Sequence, residues 1–266
     1  MARVAAIQMV SAAEVAPNLA AAGRLIAAAA AAGAKLVALP EYFCILGRHE
    51  TDKVKAREPD GAGPIQSFLA EAARANKVWV VGGTVPLISE DETRVRSACL
   101  VFDDAGRRVA RYDKMHLFRL ELGERNFDES RTIEPGGAPV ALDTPFGRLG
   151  LSVCYDVRFP EFYRAAGPVD AWLVPSAFTD VTGAAHWETL LRARAIENQC
   201  YVVAPAQGGL HDNGRRTHGH SMIVDPWGEV LASRPEGEGV VLAELDPARI
   251  AEVRQSLPAL DRRKPT

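Results

Sequence analysis

Leu149-Gly150-Leu151-Ser152-Val153-Cys154-Tyr155-Asp156-Val157-Arg158-Phe159-Pro160-Glu161-Phe162 reads as a short buried strand, a cysteine, and the opening turn of a helix. A thiol at such a junction is turned outward at the end of a sheet. It lies beside backbone N–H groups and the positive end of a helix dipole, which favour a thiolate and, later, an oxyanion. This is the geometry of a nucleophile elbow, with Cys in place of Ser. Free Cys is also among the most buried residue types. The stretch alone therefore fits a core cysteine as well, until a base and an oxyanion partner are found elsewhere.

Outward from the elbow, apolar runs at 4–10, 35–39, 78–82, 98–102, 171–174 and 201–206 predict buried strands. Strand 107–112 follows the hairpin signal Asp104-Ala105-Gly106, and strands 139–142 and 149–153 flank a turn at Thr144-Pro145-Phe146-Gly147. Strands 221–224 and 229–232 pair across Asp225-Pro226-Trp227-Gly228, and 240–244 is the last strand. Helices are expected at 18–32, 65–76, 160–166, 186–200 and 248–255, and 113–136 reads as a long polar loop. Strands outnumber helices, and many pair as hairpins, which argues against one uniformly wound parallel sheet. An α/β chain of this kind stacks two sheets and covers their outer faces with helices. With no linker or shift in composition, residues 1–266 read as one domain, with a polar tail from about 257.

The 266 residues carry 47% hydrophobic and 24% charged side chains, as expected of a soluble globular protein with a sizeable core. A net charge of −3 argues against bulk binding to nucleic acid or anionic membranes. The start Met1-Ala2-Arg3-Val4-Ala5-Ala6-Ile7 is already strand-like, so no secretory signal is expected, and no run is long enough for a membrane helix. Cys44, Cys99, Cys154 and Cys200 are scattered without a C-x-x-C pair, which predicts reduced thiols in a cytoplasmic protein.

Glu41 follows the strand 35–39 and Pro40, at the strand-exit edge where α/β sheets bind ligands. Beside Tyr42 and Phe43 its carboxyl would be raised toward the range of a general base; otherwise it is a solvated loop glutamate. Lys114 follows the strand ending at Tyr112, and is either an oxyanion stabiliser in a dry pocket or a surface lysine. His116 is a rival base for Cys154, as in a papain-like Cys–His peptidase. His218 and His220 read as structural rather than metal-binding, because no Asp, Glu or Cys accompanies them in sequence.

Four blocks taken together are specific: Leu39-Pro40-Glu41-Tyr42-Phe43, Tyr112-Asp113-Lys114-Met115-His116-Leu117-Phe118, Phe127-Asp128-Glu129-Ser130 and Val153-Cys154-Tyr155-Asp156-Val157-Arg158-Phe159-Pro160-Glu161. In this order the chain resembles the nitrilase (carbon–nitrogen hydrolase) superfamily from end to end. The resemblance implies a four-layer α-β-β-α sandwich paired into homodimers or larger homo-oligomers, with the tail 257–266 extended at the interface. It implies no metal and no organic cofactor. Carried over residue by residue, Cys154 is the nucleophile and Glu41 the general base. Lys114 and the Tyr155 N–H hold the oxyanion, and Glu129 lies near the lysine to help place substrate or water. The expected chemistry is that of a thiol amidohydrolase cleaving a linear amide, with ammonia released and a thioester left on Cys154.

Pro175-Ser176-Ala177-Phe178, the stretch from Thr182 to Glu188, the stretch from Leu191 to Ala204 and His218-Gly219-His220-Ser221 resemble the Nit group. Ser176, Ala206-Gln207 and His211 favour the deaminated-glutathione amidases over ω-amidases, which act on 2-oxoglutaramate or 2-oxosuccinamate. A nitrile hydrolase fits this branch poorly, and an idle interaction protein has no reason to keep all four site residues. Arg119, the segment 120–126 and Ala184 depart from the family's pattern. A small amide substrate bearing a carboxylate needs an anchor, for which Arg158 is the candidate, unless it pairs with Asp156 or Glu161 to brace the elbow. Phe178 and Thr179 are expected to be pocket walls; Arg215-Arg216 reads as a solvated loop, with a distal carboxylate of the substrate as the alternative partner for the pair.

Overall fold

The computed structural model describes residues 1–123 and 125–262. Its strands are β1 (Ala2–Gln8), β2 (Leu36–Ala38), β3 (Trp79–Val81), β4 (Val85–Ile88), β5 (Val95–Phe102) and β6 (Arg108–Asp113) in the N-terminal half. A hairpin of β7 (Arg119–Leu122) and β8 (Arg125–Asp128) follows, then β9 (Val140–Thr144), β10 (Gly147–Leu151), β11 (Ala171–Leu173) and β12 (Tyr201–Ala204). A small pair, β13 (Gly208–Leu210) and β14 (Arg216–His218), precedes β15 (Ser221–Val224), β16 (Val230–Arg234) and β17 (Gly239–Leu245). The helices are α1 (Val15–Ala31), α2 (Asp52–Lys55), α3 (Pro64–Asn76), α4 (Pro160–Ala165), α5 (Asp180–Asn198) and α6 (Pro247–Ser256).

One sheet runs β17-β1-β2-β3-β5-β4 with β6 on β5, and the other runs β16-β15-β12-β11-β10-β9. Their stacking can be read along β1. Val4 and Ala6 belong to the apolar cluster shared with β10, β11 and β12, whereas Ala5 and Ile7 pack with α1 and α3. All four are fully buried, so the strand is covered on both faces and shows a continuous apolar run rather than alternation. On the far side of the second sheet, Phe162 and Tyr163 of α4 and Trp187 and Leu191 of α5 close the same cluster. The order helix, sheet, sheet, helix is the sandwich expected from sequence.

The segment 113–136 is not a plain loop. Leu120 of β7 stands opposite Phe127 of β8, and Glu129–Arg131 forms a 3-10 turn directly after the hairpin. Helix α5 begins six residues earlier than expected, with Thr179 as its cap; Thr179 Oγ1 accepts from the N–H of Thr182 at 3.3 Å. In the tail, residues 259–262 turn instead of extending, and Leu257 O accepts from Gln199 Nε2. The final four residues of that expected segment lie outside the described residues.

Candidate active site

Four chain segments deliver the site. The parallel strand β2 ends at Ala38, and Leu39 N–H still donates to Val81 O at 2.9 Å, so Pro40-Glu41 leave the sheet together beside the exit of β3. Gly82-Gly83-Thr84 packs beneath them: Tyr42 N–H donates to Thr84 Oγ1 at 2.9 Å, and Gln207 Nε2 donates to Glu41 O at 3.0 Å. Lys114 follows β6 and is held by its backbone, its N–H to Ser97 O at 3.0 Å and its carbonyl to Gly136 N–H at 2.9 Å. Cys154 has a left-handed backbone (φ 47°) and opens a 3-10 helix spanning Cys154–Arg158. A non-glycine residue held there is strained, as a nucleophile elbow requires.

Asp156 couples the elbow to the lysine segment. Its Oδ2 accepts from Val153 N–H at 2.8 Å and Tyr112 O–H at 2.7 Å; its Oδ1 accepts from His116 N–H at 3.1 Å and sits 2.7 Å from His116 Nδ1. These bonds flank Cys154 on one side and Lys114 on the other. His116 is thus engaged with Asp156 and stacked on Phe159 (ring centroids 3.8 Å apart), which removes it as the base for Cys154. His186 Nδ1 lies 3.2 Å from a guanidinium nitrogen of Arg158.

Within this frame Lys114 Nζ lies 2.7 Å from Glu41 Oε1 and 2.6 Å from Glu129 Oε2. Glu129 Oε2 also accepts from Phe118 N–H at 2.7 Å, and its Oε1 accepts from Tyr42 O–H at 2.7 Å. Lys114, Glu41, Glu129 and Cys154 are all buried. Burial raises the Glu41 carboxyl above the usual glutamate value, against the pull of Lys114. Glu129 goes the other way: the Lys114 ammonium and three hydrogen bonds outweigh burial and lower it. Lys114 is held well above its usual value by the two carboxylates, despite burial. Burial, reinforced by Glu41, also pushes the Cys154 thiol well above its usual value, with Lys114 opposing. The elbow therefore keeps a protonated thiol at rest, contrary to the expectation of a preformed thiolate. Its helix is only five 3-10 residues long, too short for a strong dipole.

A narrow cavity opens over these groups. Arg158, Phe178 and Thr179 line it beside Glu41, Glu129, Cys154 and Tyr155, so the structure brings every sequence-nominated residue except the deeper Lys114 to one pocket wall. Arg158 forms neither of the bracing pairs weighed for it. Its guanidinium carbon lies 5.3 Å from the Phe178 ring centroid and 5.7 Å from that of Tyr155. Phe118, Tyr42 and Thr182 also face the cavity, and sequence reasoning had left them out of the site; Arg215 faces it too, as the alternative reading of the Arg215-Arg216 pair allowed. Arg215 is partly buried with its guanidinium 5.4 Å from the Phe127 ring centroid, not freely solvated.

A protonated thiol, a raised carboxyl and a buried ammonium in one pocket are the parts of an acyl-transfer site with a carboxylate base. The carbon–nitrogen hydrolase profile matches residues 3–255. This chain belongs to that family.

Within the carbon–nitrogen hydrolases, the chain is 43% identical over 265 residues to a deaminated glutathione amidase of Synechocystis sp., covering 97% of both chains. It superposes on the crystal structure of Saccharomyces cerevisiae Nit3, of the nitrilase superfamily, with a TM-score of 0.89 at 32% identity, over 99% of this chain and 96% of that one. An amidase from Nesterenkonia sp. AN1, captured after Michael addition of acrylamide at its active-site cysteine, superposes with a TM-score of 0.80 at 27% identity. That match covers 97% of this chain and 98% of the other. The protein is a hydrolase of carbon–nitrogen bonds in amides.

Proposed function

We propose that the protein is a deaminated glutathione amidase working through a thioester on Cys154. The buried cluster of Glu41, Lys114, Glu129 and Cys154 carries the mechanism. Glu41 takes the thiol proton as Sγ attacks the amide carbon. An ammonium has three N–H donors; Lys114 uses two on Glu41 and Glu129, which leaves one for the oxyanion. Tyr155 supplies the second donor, since early N–H groups of a helix have no acceptor within it. Protonated Glu41 then returns its proton to the departing nitrogen, which could not leave as an anion, and the C–N bond breaks. With the acyl group on sulfur, Glu41 accepts a proton from water. Hydroxide adds to the thioester carbon, and thiol and acid are released.

The amides of a glutathione-derived tripeptide are secondary, so the leaving group is an amine and not the ammonia expected from sequence. Ammonia release belongs to a primary amide such as 2-oxoglutaramate. Arg158, flanked by Phe178 and Thr179, serves as the carboxylate anchor of the acyl half. A homodimer or larger homo-oligomer extends this reading, supported by the apolar groove beside α6, where Phe146, Leu245 and Ile250 meet. Its test is sedimentation. Among the described residues no helix is long and apolar enough to cross a membrane. The four unpaired thiols support a cytoplasmic location.

Two measurements test the function. Intact mass after acid quench with substrate should show an acyl adduct confined to Cys154. Comparing kcat/KM should favour deaminated glutathione over 2-oxoglutaramate and 2-oxosuccinamate. A preference of about tenfold or more for the short amides, equivalent to about 1.4 kcal/mol, overturns the substrate assignment in favour of an ω-amidase.

A further inference from the structure

Arg215 lines three adjoining spaces at once. One is the catalytic cavity. The second is a smaller recess with Tyr42, Glu50 and Lys53. The third is an open recess of about 580 Å³ walled by Phe127, Thr179, Gly214, Arg216 and Thr217. The catalytic cavity and this larger recess share Ala177, Thr179 and Arg215, so the site continues past Arg215. Its guanidinium rests over the Phe127 ring and lies 3.9 Å from Glu50 Oε1, beyond hydrogen-bonding distance. Arg216 is committed to Glu236 at 2.6 Å, and Asp180 shares the recess wall with its own partners. Arg215 is therefore a cation shared by the catalytic cavity and the larger recess whose planar fork no carboxylate holds at hydrogen-bonding distance.

An amide substrate has two halves separated at the sulfur. The acyl half, anchored at Arg158, fills the catalytic cavity. The amine half must extend away from it, and the larger recess gives it room. We propose that this recess is a leaving-group subsite in which Arg215 binds a carboxylate carried by the amine half. The preferred substrates are then secondary amides whose amine is an amino acid or short peptide with a free C-terminus. The inference rests on the amidase reading above and deepens it, because an ω-amidase expelling ammonia has nothing to place there. A planar guanidinium can grip a carboxylate with two parallel bonds, and the Phe127 face beneath holds it in that plane.

The test uses three substrates: deaminated glutathione, its C-terminal carboxamide, and 2-oxoglutaramate. Arg215→Gln should cut kcat/KM for deaminated glutathione about 10- to 100-fold, mostly through KM. The loss on 2-oxoglutaramate, which has no amine half to place, should be at least about fivefold smaller. Wild-type enzyme should lose a similar factor on the carboxamide, and Arg215→Lys should fall between. Melting curves of both variants matching wild type would exclude a folding defect as the cause. Equal losses on deaminated glutathione and 2-oxoglutaramate, or no discrimination against the carboxamide, overturn the subsite alone. A wild-type enzyme that cleaves 2-oxoglutaramate but not deaminated glutathione overturns both the subsite and the substrate assignment.

Discussion

Lys114 Nζ lies 2.7 Å from Glu41 Oε1 with both side chains sealed from solvent, and a second carboxylate, Glu129, completes a net negative buried set. One cation thus holds two carboxylates in the core. Removing one partner of a buried ionic group costs about 3–5 kcal/mol, because the remaining charges lose their compensation. Lys114→Met should therefore melt far below wild type at neutral pH and lack activity. It should recover stability in acid, where Glu41 and Glu129 protonate. Thermal melts across pH measure this. A variant as stable as wild type at pH 7 would mean that the carboxylates are neutral without the lysine.

Glu41→Gln keeps shape and burial but removes the base. General acid–base contributions are typically about 10²–10⁴-fold, and turnover should fall within or beyond that range while the fold persists. A Cys–His mechanism predicts a mild effect instead. Steady-state rates of the variant decide, and a loss smaller than about tenfold would remove Glu41 from the mechanism.

The direction of the Glu41 shift sets the pH behaviour. The base works only when ionised, so kcat/KM should fall on the acid side with a midpoint above the 4.5 of an ordinary glutamate. An acid limb at or below that value would contradict the burial argument. For stability the sign is reversed. A carboxyl raised in the folded state contributes stability below its unfolded value, and that contribution is lost as pH rises through the folded value. Glu41→Gln should thus gain on wild type in melting temperature as pH rises above about 4.5.

The parts of this site legible in the sequence were those written locally. The elbow and the β2 exit are short, mainly apolar runs that end at a reactive residue, so pattern made the thiol and the carboxylate candidates, and the family resemblance gave them their roles. The partners that tune them come from far along the chain. Tyr42 meets Glu129 across 87 positions, and Tyr112 meets Asp156 across 44, which no periodicity encodes. The β7–β8 hairpin escaped because each strand is only four residues long and β8 has a single apolar residue, Phe127. Pro86 obscured β4, and adjacent glycines obscured β13. The start of α5 was missed because Gly183-Ala184-Ala185 offers no apolar stripe, although Thr179 was a usable cap signal.

Among the described residues Arg158 pairs with no carboxylate; it lies between the Tyr155 and Phe178 rings, with His186 at 3.2 Å. Arg158→Lys keeps the charge but loses the planar fork. For an amide with a carboxylate on its acyl half, KM should rise about tenfold or more, with little change in melting temperature. Unchanged KM with a lower melting temperature would make Arg158 a brace of the elbow.

Gly83 tests how the base is positioned. Its φ is +49°, and a Cβ placed there would lie 2.0 Å from Pro40 O, the carbonyl immediately before Glu41. Backbone cannot yield as a flexible side chain can, so Gly83→Ala must push the Pro40-Glu41 segment away or twist its own turn. Both routes strain Thr84, whose hydroxyl holds Tyr42 N–H, and through it the Tyr42–Glu129 contact. Alanine where φ is positive destabilises by more than about 1 kcal/mol before any clash is counted. The variant should melt lower, and kcat should fall even at temperatures where it is fully folded, because Glu41 shifts relative to Cys154. Kinetics well below the melting transition separate the two effects. If kcat there equals wild type, the turn supports the fold without setting the position of the base.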